Sequence, residues 1–188
     1  MTTRKHLEEA QALLTACLQN EDLLSSVDEA ADMMWSSISK GGKIIACGNG
    51  GSMSDAMHFA EEMTGCFREK RSALPAIAIS DPAHITCTAN DYGFEQVFSR
   101  YVEALGQAED VLLAISTSGN SANVLQAAEA AKAKGMKVVA LSGKKGGKLA
   151  DLADVELRIP HMGYADRIQE MHIKILHILI AQIEQHLS

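Results

Sequence analysis

The sequence predicts an α/β fold: a five-stranded parallel sheet flanked by helices on both faces, with further helices at the N-terminus. Three observations predict it. Five short apolar runs, Lys43–Cys47, Ala76–Ile79, Val111–Ile115, Lys137–Leu141 and Val155–Ile159, are mostly uninterrupted by charge, as strands covered on both faces are. Segments of helical periodicity separate these runs, and such alternation implies parallel pairing. The first forty residues show helical spacing and no strand pattern.

The elements follow in order. Leu7, Ala10, Leu13, Leu14 and Leu18 recur at helical spacing, and so do Leu23, Leu24, Val27, Ala30, Ala31, Met34 and Ile38, until Gly41-Gly42 stops the second helix. Two long N-terminal helices of this kind suit packing onto another subunit. A helix over Ser52–Thr64 follows the first strand. A helical stretch within Ala83–Leu105, broken near Asn90, follows the second. A helix over Ala122–Lys134 follows the third strand, and a short one within Gly146–Ala153 the fourth. In the last helix, Ala165 to His186, Ile168, Met171, Ile173, Ile175, Leu176, Ile178, Leu179, Ile180 and Ile183 cover most of the circumference. A helix apolar nearly all round is buried. In a chain of 188 residues, that points to an oligomer interface as well as the chain's own core.

Size and composition narrow the class. One domain over 1–188, with a helical segment over 1–40, is expected. A content of 47% hydrophobic and 22% charged residues excludes a disordered chain. The net charge of −7 argues against nucleic acid as a partner, and Lys144, Lys145 and Lys148 read as a solvated loop. Cys17, Cys47, Cys66 and Cys87 are far apart and form no Cys-x-x-Cys pair, which argues against a structural zinc cluster or a disulfide framework. The N-terminus lacks the apolar core of a signal peptide, and no run approaches the ~20 apolar residues of a membrane span. A cytoplasmic location is expected.

Two strand–loop–helix junctions carry similar chemistry. Lys43-Ile-Ile-Ala-Cys47 runs into Gly48-Asn-Gly-Gly-Ser52, and Val111-Leu-Leu-Ala-Ile115 runs into Ser116-Thr-Ser-Gly-Asn-Ser121. Each offers an anion unpaired backbone N–H groups and the positive end of a helix dipole. Gly48, Gly50 and Gly51 let backbone approach a ligand closely. Ser116, Thr117, Ser118 and Ser121 supply hydroxyls for a phosphate cradle that needs no lysine. Neither loop matches the Walker or the dinucleotide fingerprint. Asn49, Ser52, Ser118 and Ser121 also suit N-caps and turns. Two such loops on one edge of one sheet favour a phosphate or sugar site.

His58 and Glu62 stand four apart on the helix leaving the first loop, so they share a face. Gln169 and His177 stand eight apart on the apolar last helix, where unsatisfied polar groups are costly. Imidazole, carboxylate and amide oxygen are all ligands for zinc or a similar ion. By spacing alone, His58–Glu62 is equally an ordinary surface pair, Glu61 competes with Glu62, and a buried histidine more often bonds backbone. A carboxylate and an imidazole beside a sugar-phosphate loop suit proton transfer α to a carbonyl.

Cys47-Gly-Asn-Gly-Gly-Ser52, Asp55-Ala-Met-His-Phe-Ala-Glu-Glu62, Ala89-Asn-Asp91, Ile115-Ser-Thr-Ser-Gly-Asn-Ser121 and Gly163-Tyr-Ala-Asp-Arg-Ile-Gln-Glu-Met-His172 closely resemble the phosphoheptose (sedoheptulose 7-phosphate) isomerase family, which has the sugar isomerase (SIS) fold. The resemblance covers nearly the whole chain from about Gly41, in family order and spacing. It implies conversion of D-sedoheptulose 7-phosphate to D-glycero-D-manno-heptose 7-phosphate through an enediol, the first step of ADP-heptose synthesis for lipopolysaccharide core. It also implies a cytoplasmic homotetramer with active sites at subunit interfaces and one zinc per subunit. By the motif match, His58, Glu62, Gln169 and His177 are the zinc ligands, Glu62 the base and His177 the acid. Ser116, Thr117, Ser118 and Ser121 match the phosphate loop. Asn49, Gly50, Gly51, Asn90 and Asp91 match substrate contacts, adjoined by Ser52, with Gln169 also facing substrate. Two departures stand out: Cys66 where the family pattern has arginine, and Met53-Ser54 where His-Cys is common. The same fold hosts non-enzymatic scaffolds and sugar-phosphate sensors that bind a protein partner. A scaffold has no need of His58, Glu62 and His177 together. Nothing in the loops measures a seven-carbon chain against six.

Overall fold

In the computed structural model, which describes residues 2–187, the N-terminal segment forms two helices, α1 (Thr3–Leu18) and α2 (Glu21–Ser39). The Asn20 side chain accepts the Leu23 N–H and caps α2, while Glu21 and Asp22 complement the positive end of its dipole. Helix α2 buries Leu23, Val27, Ala30, Ala31 and Met34 along one stripe. Helix α1 buries only Leu13 and Cys17, and its Leu7 and Leu18 are 67% and 62% exposed.

The remainder alternates: β1 (Ile44–Gly48), α3 (Gly51–Thr64), β2 (Ala76–Ala78), α4 (Pro82–Tyr92), α5 (Ser99–Leu105), β3 (Val111–Ile115), α6 (Ala122–Ala133), β4 (Lys137–Gly143), α7 (Leu149–Leu152), β5 (Val155–Ile159) and α8 (Ala165–Gln185). The five strands form one parallel sheet in the order β2-β1-β3-β4-β5. Several boundaries differ from the expected ones. β1 starts and ends one residue later. β2 stops at Ala78, although the Ile79 N–H still donates to the Ala46 carbonyl at 2.9 Å. β4 continues to Gly143. The break after α4 falls at Gly93, whose φ of +95° ends the helix, leaving Asn90 and Asp91 inside its last turn.

Successive strand residues point to opposite faces. Ile44, Ala46, Val111, Leu113, Ile115, Val139 and Leu141 pack under α2, α3 and α8. Ile45, Cys47, Leu112, Ala114, Val138 and Ala140 pack under α5 and α6, with Leu149 of α7 and partly buried Ile85 and Ala89 of α4. Buried Asp110 fixes the start of the central pair: it accepts from the Lys43 N–H (2.9 Å), the Lys43 Nζ (2.6 Å) and the Gln107 N–H (2.9 Å). Helix α8 departs from the prediction of burial all round. Asp166, Glu170, Lys174 and Ile178, four apart along one row, form a single exposed stripe, with Ile178 at 45%. Three of these four side chains are charged and favour water.

This strand order has a consequence for ligands. The chain leaves β1 for β2 on one side and returns to β3 on the other, so β1 and β3 flank the switch point. Their last residues, Gly48 and Ile115, are register partners. The two junctions singled out in the sequence therefore open side by side at the carboxyl ends of adjacent strands, where such sheets bind ligands.

Candidate active site

Helices α3 and α8 follow parallel strands and lie on the same face, so they run in the same direction. Gly51 marks one meeting point: a Cβ there would stand 2.8 Å from the Gln169 Nε2, so the missing side chain makes room for that amide at the start of α3. Two turns further on, the His58 Nε2 lies 3.1 Å from the His177 Nε2. The His58 Nε2 is also 3.4 Å from the Glu62 Oε1, as the i,i+4 spacing predicts. One donor atom from each of His58, Glu62 and His177 lies within 4.8 Å of the other two.

These three residues fit a divalent cation. A tetrahedral ion with bonds of ~2.0–2.2 Å sets neighbouring donors ~3.3–3.6 Å apart, close to the 3.1 and 3.4 Å found. The two imidazoles face each other nitrogen to nitrogen, an arrangement that an ion between them would satisfy. All three side chains are half-buried. The Phe67 ring lies 5.4 Å from the His177 ring and covers it from the segment after α3. Gln169 is not beside this trio within one chain, since eight residues of helix separate it from His177 by ~12 Å.

The second junction is a preformed loop. The Ser116 and Ser121 hydroxyls are 3.0 Å apart. Gly119, at φ +64°, packs so tightly that a Cβ would lie 1.7 Å from the Gly146 carbonyl oxygen. The Leu149 N–H donates to the Gly119 carbonyl at 3.0 Å. Asn120 accepts from the Lys148 N–H (3.2 Å) and donates to the Ser118 carbonyl (2.9 Å). Thr117 and Ser118 are half-buried at the loop's surface. The loop is thus shaped before any anion arrives, which lowers the cost of binding one.

Asn49 and Asn123 join the two junctions: each amide donates to the other's oxygen at 2.8 Å. The Asn49 side chain is therefore engaged with protein. Its backbone neighbours Gly50 (φ +55°, open to solvent) and Gly51 are the groups facing outward. Ser52 is buried in the first turn of α3. Asn90 and Asp91 are exposed at the end of α4, in the layer on the other face of the sheet. There the Asn90 Nδ2 donates to the Asp91 Oδ1 at 2.7 Å, and the Cys87 thiol donates to the Asp91 Oδ2 at 3.6 Å. The Cys66 thiol, where the family pattern has arginine, donates to the Glu69 carbonyl at 3.0 Å and is exposed.

Sequence reading passed over several neighbours. Asp55 shares a face of α3 with His58 and Glu62. Burial raises its carboxyl above the usual range while charge on His58 opposes this, and its Oδ2 has no hydrogen-bond partner among the described residues. Its spacing three before His58 was a legible signal. Phe67 and Asn123 carried none: one lies in an irregular segment, the other looks like any polar residue of a first helical turn.

Known proteins are similar to this chain in sequence and in fold. The SIS domain profile matches residues 5–143. The chain is 63% identical to the phosphoheptose isomerase of Cytophaga hutchinsonii over 186 residues, covering 99% of this chain and 97% of that protein. Among solved structures, a phosphoheptose isomerase from Francisella tularensis superimposes with a TM-score of 0.93 at 40% identity, over 98% of this chain and 100% of that one. One from Neisseria gonorrhoeae gives 0.90 at 44% identity, over 97% and 96%.

Proposed function

The chain belongs to the phosphoheptose isomerase family of SIS-domain proteins, and on that premise we propose that it interconverts D-sedoheptulose 7-phosphate and D-glycero-D-manno-heptose 7-phosphate through an enediol. This is the first step of ADP-heptose synthesis for lipopolysaccharide core. The observation that carries the reading is the meeting of His58, Glu62 and His177 from two helices, two turns along from the loops at the switch point.

The parts have separate work. Ser116, Thr117, Ser118 and Ser121 hold the phosphate with hydroxyls and backbone N–H groups. Gly50, Gly51, Ser52 and Gln169 line the sugar, with Asn49 held in place by Asn123. Asn90 and Asp91, exposed at the end of α4, are the remaining substrate contacts. Glu62 removes the proton from C1 of the ketose and returns it at C2, and His177 moves the proton between the two oxygens. Holding both groups on packed helices keeps them aligned with the reacting carbons. His58, Glu62 and His177 hold one zinc per subunit, which when bound supplies a Lewis acid that polarises the carbonyl. Within one chain Gln169 lies against Gly51, away from the trio, so as a metal ligand it would have to come from a second copy. That agrees with a homotetramer whose active sites lie at subunit interfaces, and with the apolar residues exposed on α1. No helix among the described residues is long and apolar enough to cross a membrane, and the four cysteines are unpaired. The free thiols suit a reducing cytoplasm.

The test is incubation of the purified protein with sedoheptulose 7-phosphate, with zinc or with a chelator, followed by NMR of the sugar. Aldoheptose 7-phosphate is expected with zinc; none under any metal condition refutes the reading. Glu62→Gln and His177→Gln, with metal content measured, should each lower kcat at least ~100-fold. Near-normal turnover in either would remove that residue's assignment.

A further inference from the structure

The segment between α3 and β2 holds a buried arginine that the mechanism does not use. The Arg71 side chain is 9% exposed, and all three nitrogens of its guanidinium donate hydrogen bonds. Nη2 donates to the Glu62 carbonyl at 2.8 Å. Nη1 donates to the Met63 and Ser72 carbonyls at 2.9 and 3.0 Å. Nε donates to the Glu184 Oε1 at 2.5 Å. Glu184 lies on α8, seven residues after His177, and is itself 17% exposed. One planar group thus ties the last turn of α3 to the last turns of α8.

The placement is specific. A helix ends with carbonyls that lack intrahelical partners, and a cation there suits the negative end of the dipole. At the end of α3, the Glu61 carbonyl accepts from the Gly65 N–H, and the Met63 carbonyl accepts from the Leu74 N–H as well as from Arg71. The carbonyl of Glu62 accepts from Arg71. The same residue supplies the carboxylate of the metal trio from its side chain. Glu62 is therefore gripped at its backbone by an arginine anchored on the helix that carries His177. A lysine could not replace this grip, because a point charge cannot serve three carbonyls and a carboxylate in one fixed fork.

We propose that Arg71, braced by Glu184, is a positioning residue that sets the spacing of α3 against α8 at the metal site and so holds His58 and Glu62 to His177. The inference rests on the function proposed above. Groups that orient metal ligands in this way typically change affinity 10–100-fold when altered.

The experiment uses the intact oligomer, with Arg71→Lys and Glu184→Gln. Zinc affinity is measured by chelator competition, the d–d absorption bands are recorded after cobalt(II) substitution, and Tm is measured on the metal-free protein. Arg71→Lys is expected to weaken zinc at least ~10-fold, and Glu184→Gln by a smaller factor. Cobalt bands should shift at saturation, while the metal-free Tm of Glu184→Gln, which keeps an acceptor for Nε, stays within ~3 °C of wild type. Zinc affinity within twofold of wild type with unchanged cobalt bands would overturn the proposal. So would a weakening matched by a large fall in the metal-free Tm, which would make Arg71 a general support. Should Arg71→Lys fail to fold, Glu184→Gln decides by the same criteria. A wild-type protein that binds no metal and makes no aldoheptose would instead defeat the functional reading itself, and this inference with it.

Discussion

Acidification should destabilise this protein in a window set by one buried residue, His172. It is fully buried on α8, its Nε2 lies 2.9 Å from the Ser142 carbonyl, and its Nδ1 has no partner among the described residues. Burial pushes the imidazole down from 6.5 to about 4, with the Ser142 carbonyl opposing weakly. The sign follows from linkage. Above pH 6.5 the residue is neutral in both folded and unfolded chains and adds no pH dependence. Between 6.5 and 4 the unfolded chain takes a proton that the folded one refuses, so stability falls as pH falls. Each pH unit in that window costs about 1.4 kcal/mol, about 3 kcal/mol in all. For a chain of this size that lowers Tm by about 6–12 °C. The assay is thermal unfolding from pH 7.5 to 4, at fixed protein concentration, of wild type and His172→Gln. Glutamine keeps a donor for Ser142 and does not titrate, so the difference between the two curves isolates His172 from every other titrating group. The curves should converge as pH falls, with the wild type losing about 3 kcal/mol more. Parallel curves across the window would refute the argument.

Three further outcomes follow from the site. Gly119→Ala places a Cβ against the Gly146 carbonyl at an unfavourable φ, so the phosphate loop must deform; steady-state kinetics should show KM for the sugar phosphate raised at least ~10-fold. Asn123→Ala leaves the Asn49 amide unpaired and should cost about 1–3 kcal/mol in denaturant unfolding. The double replacement of Asn49 and Asn123 by alanine should cost less than the two single changes combined, because the pair is shared. Zinc at about 100 times its dissociation constant should stabilise the protein by about 2.7 kcal/mol, read as a rise in Tm that a chelator reverses and that His58→Ala abolishes.

Much of this was legible without coordinates, for local reasons. The five strands and the helices between them followed from apolar period, and their boundaries moved by no more than about three residues where a strand extended or a glycine such as Gly93 took the stop. The two glycine- and serine-rich junctions were visible because ending a parallel strand before a helix needs small residues and caps. His58 and Glu62 were legible as neighbours because four residues make one helical turn. Asp55 could have been found by the same rule.

Other features had no local signal. The order β2-β1-β3-β4-β5 depends on which way each crossover turns, and it alone makes the two junctions neighbours. His177 reaches His58 across 119 residues only because α3 and α8 pack side by side on one face. Gln169, spaced to share His177's side of α8, lies against Gly51, since rise along the helix separates what a shared face groups together. Arg71 and Phe67 sit in an irregular stretch where periodicity says nothing, and the Asn49–Asn123 pair is one polar contact among many the sequence permits. The sequence by itself determined the elements, the loop chemistry and the pairing of groups one turn apart, because backbone geometry fixes those at short range. Only the tertiary structure decided which helices meet, what grips Glu62 and which side chains complete the trio, because those depend on how whole faces pack across the sheet.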